Sequence, residues 1–302
     1  MTTQYAIEGN NITKNLKGFN LDIDDLKVPK GFATALIGEN GAGKTTLLNI
    51  LSGLRLDYKG DITFFGRYSD KEKEDNGNIK NRIGYTGTGK YYLPQWTVRD
   101  IENISKILFE DFSEDRFRKY CDELAIFPHG QLDMKKPNSS FSDGMKVKLM
   151  IAGVLSRDTD MLILDEPASP LDPLMRDKLC QLISEYINNG NGEKSVFFST
   201  HNISDMENVT DYAIIMENGQ IVEQGFVEDL KEKYIVIKGD AADTQRAKDI
   251  LYTITTNPYG FEGICLSENL DKLAGLNVTK EIPTLYQISV AVMKNNTKIV
   301  MR

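Results

Sequence analysis

Residues 38–45 read Gly-Glu-Asn-Gly-Ala-Gly-Lys-Thr, the G-x-x-x-x-G-K-[ST] spacing of a phosphate-binding loop. Its glycines let backbone N–H groups turn inward around phosphates with no Cβ in the way. Gly38, Glu39, Asn40, Gly41, Ala42, Gly43 and Thr46 form the cradle with Lys44 and Thr45. Lys44 brings a point charge to the outer phosphates of a nucleoside triphosphate, and the Thr45 hydroxyl is a ligand for Mg²⁺. The competing reading is a Gly-rich turn with an exposed lysine. The flanks decide against it: Phe32–Ile37 is a nearly continuous apolar run, and an amphipathic helix is expected from Lys44 through Leu54.

Residues 84–91 repeat the glycine and lysine spacing, but Tyr91 stands where the magnesium-binding hydroxyl belongs. Pro94 disfavours helical geometry at Leu93, so this segment reads as a loop that mimics the motif without its chemistry. An acidic pair follows further on. Met161–Leu164 is an apolar strand that delivers Asp165 and Glu166 to the carboxyl edge of a sheet, where α/β folds bind ligands. Asp165 is placed there to hold Mg²⁺ through water, and Glu166 to orient or deprotonate an attacking water. Paired acids alone are usually surface charge; beside a phosphate loop and behind a buried strand they read as a site.

Between these motifs stands Phe141-Ser142-Asp143-Gly144-Met145. Ser142 caps a helix whose apolar positions include Val147, Met150, Ile151 and Val154. Its hydroxyl and the N–H groups around Gly144 sit at a positive helix end suited to an anion. With the motifs in this order, the chain from about Tyr5 to Tyr234 resembles the ABC ATPases, whose Leu-Ser-Gly-Gly-Gln signature has its place at Phe141–Met145. The resemblance implies an α/β, P-loop NTPase (RecA-like) core with an antiparallel β edge subdomain and a helical signature subdomain. It implies that Ser142 and Gly144 meet the γ-phosphate of ATP held by an opposite subunit. Ser169-Pro170-Leu171-Asp172 is similar to the loop that communicates between two ATP sites, and His201 to the switch histidine that contacts the γ-phosphate.

Several positions depart from the family pattern. Asp143 replaces a glycine and Met145 a glutamine, as in the exporters related to bacitracin and lantibiotic resistance. Pro170 replaces a small residue, and Thr88 stands at the place of the magnesium-sensing glutamine. Leu16 falls where an adenine-stacking aromatic belongs; Phe19 is the substitute expected, with Tyr5 behind it.

The elements that position these residues follow from periodicity. Phe19, Leu21 and Ile23, then Leu26 and Val28, alternate as a strand with one buried face. Thr97 and Ser113 are helix caps in a mostly helical block that ends near Arg157. Strand character returns at Ser195–Ser199, with a helix over about 174–188 before it and a charged, solvated loop expected at 69–81. The organisation predicted is residues 1–234 as a nucleotide-binding domain, with a helical subdomain over about 88–160, and 235–302 as a small α/β C-terminal accessory region. There, Leu285, Ile288 and Val292 share one helical face, for packing on the core or on a dimer partner.

The charge of −8 disfavours a general nucleic-acid surface. No apolar run approaches the roughly 20 residues that span a bilayer, and the amino terminus lacks a signal-peptide pattern. Three widely spaced cysteines read as reduced, space-filling thiols. The resemblance then implies an ATPase subunit using ATP and Mg²⁺, dimeric with itself or a relative. It would work at the cytoplasmic face on an integral-membrane subunit, in an exporter of peptides, lantibiotics or drugs. A soluble ABC ATPase acting on ribosomes or nucleic acid is the alternative. Against it, only about a hundred residues separate Lys44 from Ser142, too few for a long coiled-coil arm, and a single set of motifs is present. A GTPase is disfavoured because no Asn-Lys-x-Asp motif occurs.

Overall fold

The computed structural model describes residues 4–87, 92–127 and 133–300. β3 (Ala33–Ile37), β7 (Met161–Leu164) and β8 (Ser195–Thr200) are buried along their whole lengths, as strands covered on both faces must be. They lie at the centre of a six-stranded sheet with β6 (Ile83–Thr86), β9 (Tyr212–Glu217) and β10 (Gln220–Phe226). The order is β10-β9-β3-β8-β7-β6, parallel except for the β9–β10 hairpin. Successive side chains enter opposite cores: Ile163 and Phe197 point to one, Leu162, Leu164, Val196 and Phe198 to the other.

The first core is closed by α1 (Lys44–Leu51) and by a smaller antiparallel sheet. That sheet joins β1 (Tyr5–Leu16), β2 (Phe19–Pro29), β4 (Lys59–Phe64) and β5 (Tyr68–Ser69) in the order β2-β1-β4-β5. Helix α1 stops at Leu51, short of the expected Leu54, because Gly53 turns into left-handed geometry (φ 72°). The solvated loop expected at 69–81 is also corrected: α2 (Lys73–Arg82) forms there. Its sequence hides it, since only Ile79 is buried and no apolar stripe exists. Glu74 and Asp75 in its first turn, and Lys80 and Arg82 in its last, complement the helix dipole.

The helical block contains α3 (Val98–Leu108), α4 (Glu114–Glu123) and α5 (Asp143–Leu155). Thr97 and Asp100 form a reciprocal capping box on α3, and Ser113 accepts from Arg116 N at the start of α4. On the second core's side lies α6 (Pro173–Asn188), capped by Asp172. Burial pushes the Cys121 thiol up to about 12, which suits an inert, space-filling thiol.

After α7 (Val227–Lys233) the chain builds a third sheet from β11 (Tyr234–Asp240), β12 (Thr253–Asn257), β13 (Gly260–Leu266) and β14 (Val278–Glu281). With the short α8 (Thr244–Ala247) and a 3₁₀ segment, the order β12-β13-β11-β14 is that of a split βαβ arrangement. One face covers its own small core around Ile237, Phe261 and Cys265. The other face, with Val236 and Ile264, meets α9 (Leu285–Val300). Leu285, Ile288, Ala291 and Val292 of α9 are buried in the same core as Ile203, Met206 and Ile215. Of the two partners open to that helical face, the core is the one it meets. Glu207 Oε1 accepts from Leu285 N at 2.8 Å and anchors the start of α9.

Candidate active site

The loop from β3 to α1 turns where glycine is needed. Gly43 has φ 105°, and a Cβ there would meet Phe19 Cζ at 2.6 Å. The Lys44 side chain is 6% exposed, and its ammonium donates to Gly38 O at 2.7 Å and Glu39 O at 3.2 Å. The Thr45 hydroxyl donates to Asp165 Oδ2 at 2.9 Å across the top of the sheet.

Asp165 and Glu166 emerge from β7 side by side but in different conformations. The other oxygen of Asp165, Oδ1, accepts from the Ser199 hydroxyl at 2.6 Å. That same Ser199 oxygen accepts from Glu166 N at 2.9 Å. Glu166 takes left-handed backbone geometry (φ 50°), which costs a non-glycine residue about 1–3 kcal/mol and clusters at functional sites. The turn points its carboxylate back over the phosphate loop, 3.4 Å from Lys44 Nζ through Oε1. Oε2 lies 2.8 Å from His201 Nδ1. His201 follows β8 by one residue, so the parallel pairing of β7 and β8 places acid and imidazole at one sheet edge.

Lys44, Thr45, Asp165, Glu166 and His201 therefore converge, although they come from three separate strand ends. Ser199 belongs to the group and escapes sequence reasoning. Its only signal is a small polar residue two places before His201, in a strand that also carries Ser195 and Thr200. Thr45 and Asp165 present hydroxyl and carboxylate oxygens side by side, the donor set a hard divalent cation takes. A cation shared with phosphates and water needs few protein ligands, and these two oxygens fit it.

A cleft of about 660 Å³ runs along the phosphate loop, lined by Leu16, Phe19, Asn40, Lys44, Thr46 and Glu166 among others. Phe19 thus borders the phosphate loop. Tyr5 does not: it pairs with Pro29, at the far end of the β1–β2 hairpin from the Leu16–Phe19 pair. The motif-like stretch at 84–91 begins inside β6, where Gly84 pairs with Leu162, so its first half is sheet and not a loop. Thr88 and Tyr91 lie outside the described residues.

Ser142 caps α5, its hydroxyl accepting from Met145 N at 3.3 Å. A Cβ on Gly144 would sit 2.7 Å from Pro170 O, so the absence of a side chain lets this turn press against the 169–172 loop. Asp143 is 91% exposed and paired with Lys146 at 3.0 Å. Among the described residues no hydrogen bond joins Ser142 to the phosphate loop. A separate cavity of about 800 Å³ lies between, with Asp143, Lys146 and Pro170 sharing its walls with Glu166 and His201.

Residues 21–169 match the ABC transporter family. The chain carries the ATP-binding domain of that family and belongs to it; the class is ATP-hydrolysing. It is 30% identical over 213 residues to the energy-coupling factor transporter ATP-binding protein EcfA2 of Methanospirillum hungatei. That alignment covers 68% of this chain and 50% of the relative, so the chain spans about half of that protein's length. It is 29% identical to the bacitracin transport ATP-binding protein BcrA of Enterococcus faecalis, covering 83% of this chain and 79% of the relative. A solved dimeric ATP-binding cassette, in a post-hydrolysis state with ADP and Pi, shares the fold at a TM-score of 0.61. There the identity is 19%, over 73% of this chain and 98% of the other.

Proposed function

We propose that this chain is the ATP-hydrolysing subunit of an exporter of peptides, lantibiotics or drugs, driving a separate integral-membrane subunit at the cytoplasmic face. The observation that carries the hydrolytic reading is the convergence of Lys44, Thr45, Asp165, Glu166 and His201 at one sheet edge. Lys44 and the loop 38–46 bind the phosphates of ATP, and Phe19 stacks on adenine. Thr45 and Asp165 would hold Mg²⁺, which would supply positive charge to neutralise that of the phosphates. Glu166 orients and deprotonates the attacking water, and His201 holds the Glu166 carboxylate and senses the γ-phosphate.

Two copies, or one copy and a relative, sandwich two ATP molecules. Each is clasped between one phosphate loop and the other copy's Ser142–Gly144 turn. Residues 1–234 form the nucleotide-binding domain, with its helical part at about 88–160, and 235–302 an accessory region anchored through α9. No helix of the described residues is long and apolar enough to cross a membrane. Similarity to a bacitracin transport ATP-binding protein supports a peptide-class cargo.

Purification from native membranes tests the partner. Recovery in stoichiometric complex with one integral-membrane protein is expected. Stable recovery with ribosomes or DNA instead would overturn the transporter reading and favour a soluble ABC ATPase.

A further inference from the structure

The 800 Å³ cavity is bordered by Tyr92 and Pro94 on one side and by the approach to α5 on the other. These two stretches of chain are stitched together residue by residue. Arg99 N donates to Met134 O at 2.9 Å, and Val98 N to Lys136 O at 3.2 Å. Thr97 and Pro137 form an isolated antiparallel bridge, and Ser139 N donates to Pro94 O at 2.8 Å. Asn138 makes the most of these ties. Its backbone N donates to Trp96 O at 2.8 Å; within its own stretch, its carbonyl accepts from Phe141 N at 3.2 Å as the i→i+3 bond of a 3₁₀ turn. Its side-chain Nδ2 donates to Tyr92 O at 3.1 Å.

Any residue except proline could make the two main-chain bonds. Only a donor side chain of this length reaches the Tyr92 carbonyl as well. Asn138 is 6% exposed, and its Oδ1 has no hydrogen-bond partner among the described residues. A buried amide oxygen left unpaired is costly, and a purely structural site would be served at lower cost by a fully satisfied or apolar side chain. Phe141, the residue that Asn138 holds through its carbonyl, directly precedes Ser142.

We infer that Asn138 is a positioning residue for ATP hydrolysis. It ties the Ser142–Gly144 turn to the segment 92–97 and so sets where the turn sits. The inference rests on the proposed role of Ser142 and Gly144 in clasping ATP held by a second copy. It deepens that role by naming the residue that sets the turn's position.

The test compares Asn138→Asp, nearly isosteric but without the donor, and Asn138→Ala with the unsubstituted full-length chain. Steady-state hydrolysis is expected to fall about tenfold in kcat, the rate equivalent of one hydrogen bond. Equilibrium affinity for ATP should stay within about twofold, because the phosphate loop is untouched. In a Glu166→Gln background, ATP-driven dimerisation should weaken by about the same tenfold factor. Retention of kcat in both variants overturns the inference, as does loss of ATP affinity in step with kcat, which marks a general folding defect. Undiminished dimerisation of Asn138→Ala/Glu166→Gln overturns this inference alone. If Glu166→Gln itself fails to dimerise on ATP, the sandwich reading falls and this inference with it.

Discussion

His201 Nδ1 stands 2.8 Å from Glu166 Oε2, while the other oxygen of the same carboxylate faces Lys44 Nζ at 3.4 Å. Glu166 is thus held between two cationic or proton-bearing groups from different elements. Its left-handed backbone, pinned by Ser199, fixes the direction of approach. His201→Ala should release one side of the carboxylate and lower kcat by roughly 10²–10⁴-fold, the range of a positioned proton-transfer group. ATP affinity should change far less. Steady-state kinetics beside equilibrium nucleotide binding checks both, and an unaltered kcat would remove His201 from the site.

Lys44→Ala removes the ammonium buried at the base of the phosphate loop. Charge-assisted hydrogen bonds contribute about 1.5–3 kcal/mol each, so nucleotide affinity should fall by roughly 10- to 150-fold. Titration with a fluorescent ATP analogue measures it. Unchanged affinity would mean that phosphates bind elsewhere.

Ser199→Ala removes the hydroxyl that Asp165 Oδ1 and Glu166 N share. Outer-shell partners of metal ligands are worth about 10–100-fold in metal affinity. The Mg²⁺ concentration giving half-maximal hydrolysis should therefore rise by about that factor, with the fold intact by circular dichroism. An identical Mg²⁺ dependence would make Ser199 a space-filling residue.

The contrast between Ser199 and Lys44 shows what was legible in the sequence. Lys44, Thr45, Asp165 and Glu166 are readable because phosphate chemistry demands those types at fixed spacing next to apolar strands. Ser199 is not, since a serine in a strand acquires meaning only when β7 is known to lie beside β8. Gly144 is readable as part of the signature, but its close approach to the 169–172 loop shows only when Pro170 O is found where its Cβ would be. Helix α2 was unreadable because a helix with one buried residue has no apolar period to detect. The apolar face of α9 was legible from Leu285, Ile288 and Val292. What covers it was not, because the third sheet and the catalytic sheet meet only through long-range folding.

The shared core around α9 carries its own consequence. Ile288 is fully buried, and truncating such a side chain costs about 2–5 kcal/mol. Ile288→Ala should lower the melting temperature of the whole chain, with the C-terminal sheet and the ATP-binding core lost in one transition. Urea or thermal denaturation followed by two probes decides this. A separate early transition of residues 234–300 would show that α9 does not join the two.

The most direct test of the central claim is Glu166→Gln, which keeps the size of the side chain and removes its basicity. Steady-state hydrolysis should fall by at least about 10²-fold, while ATP binding persists and ATP-dependent dimers accumulate in sedimentation. Turnover at the rate of the unsubstituted chain would contradict the assignment of Glu166 as the group that activates water.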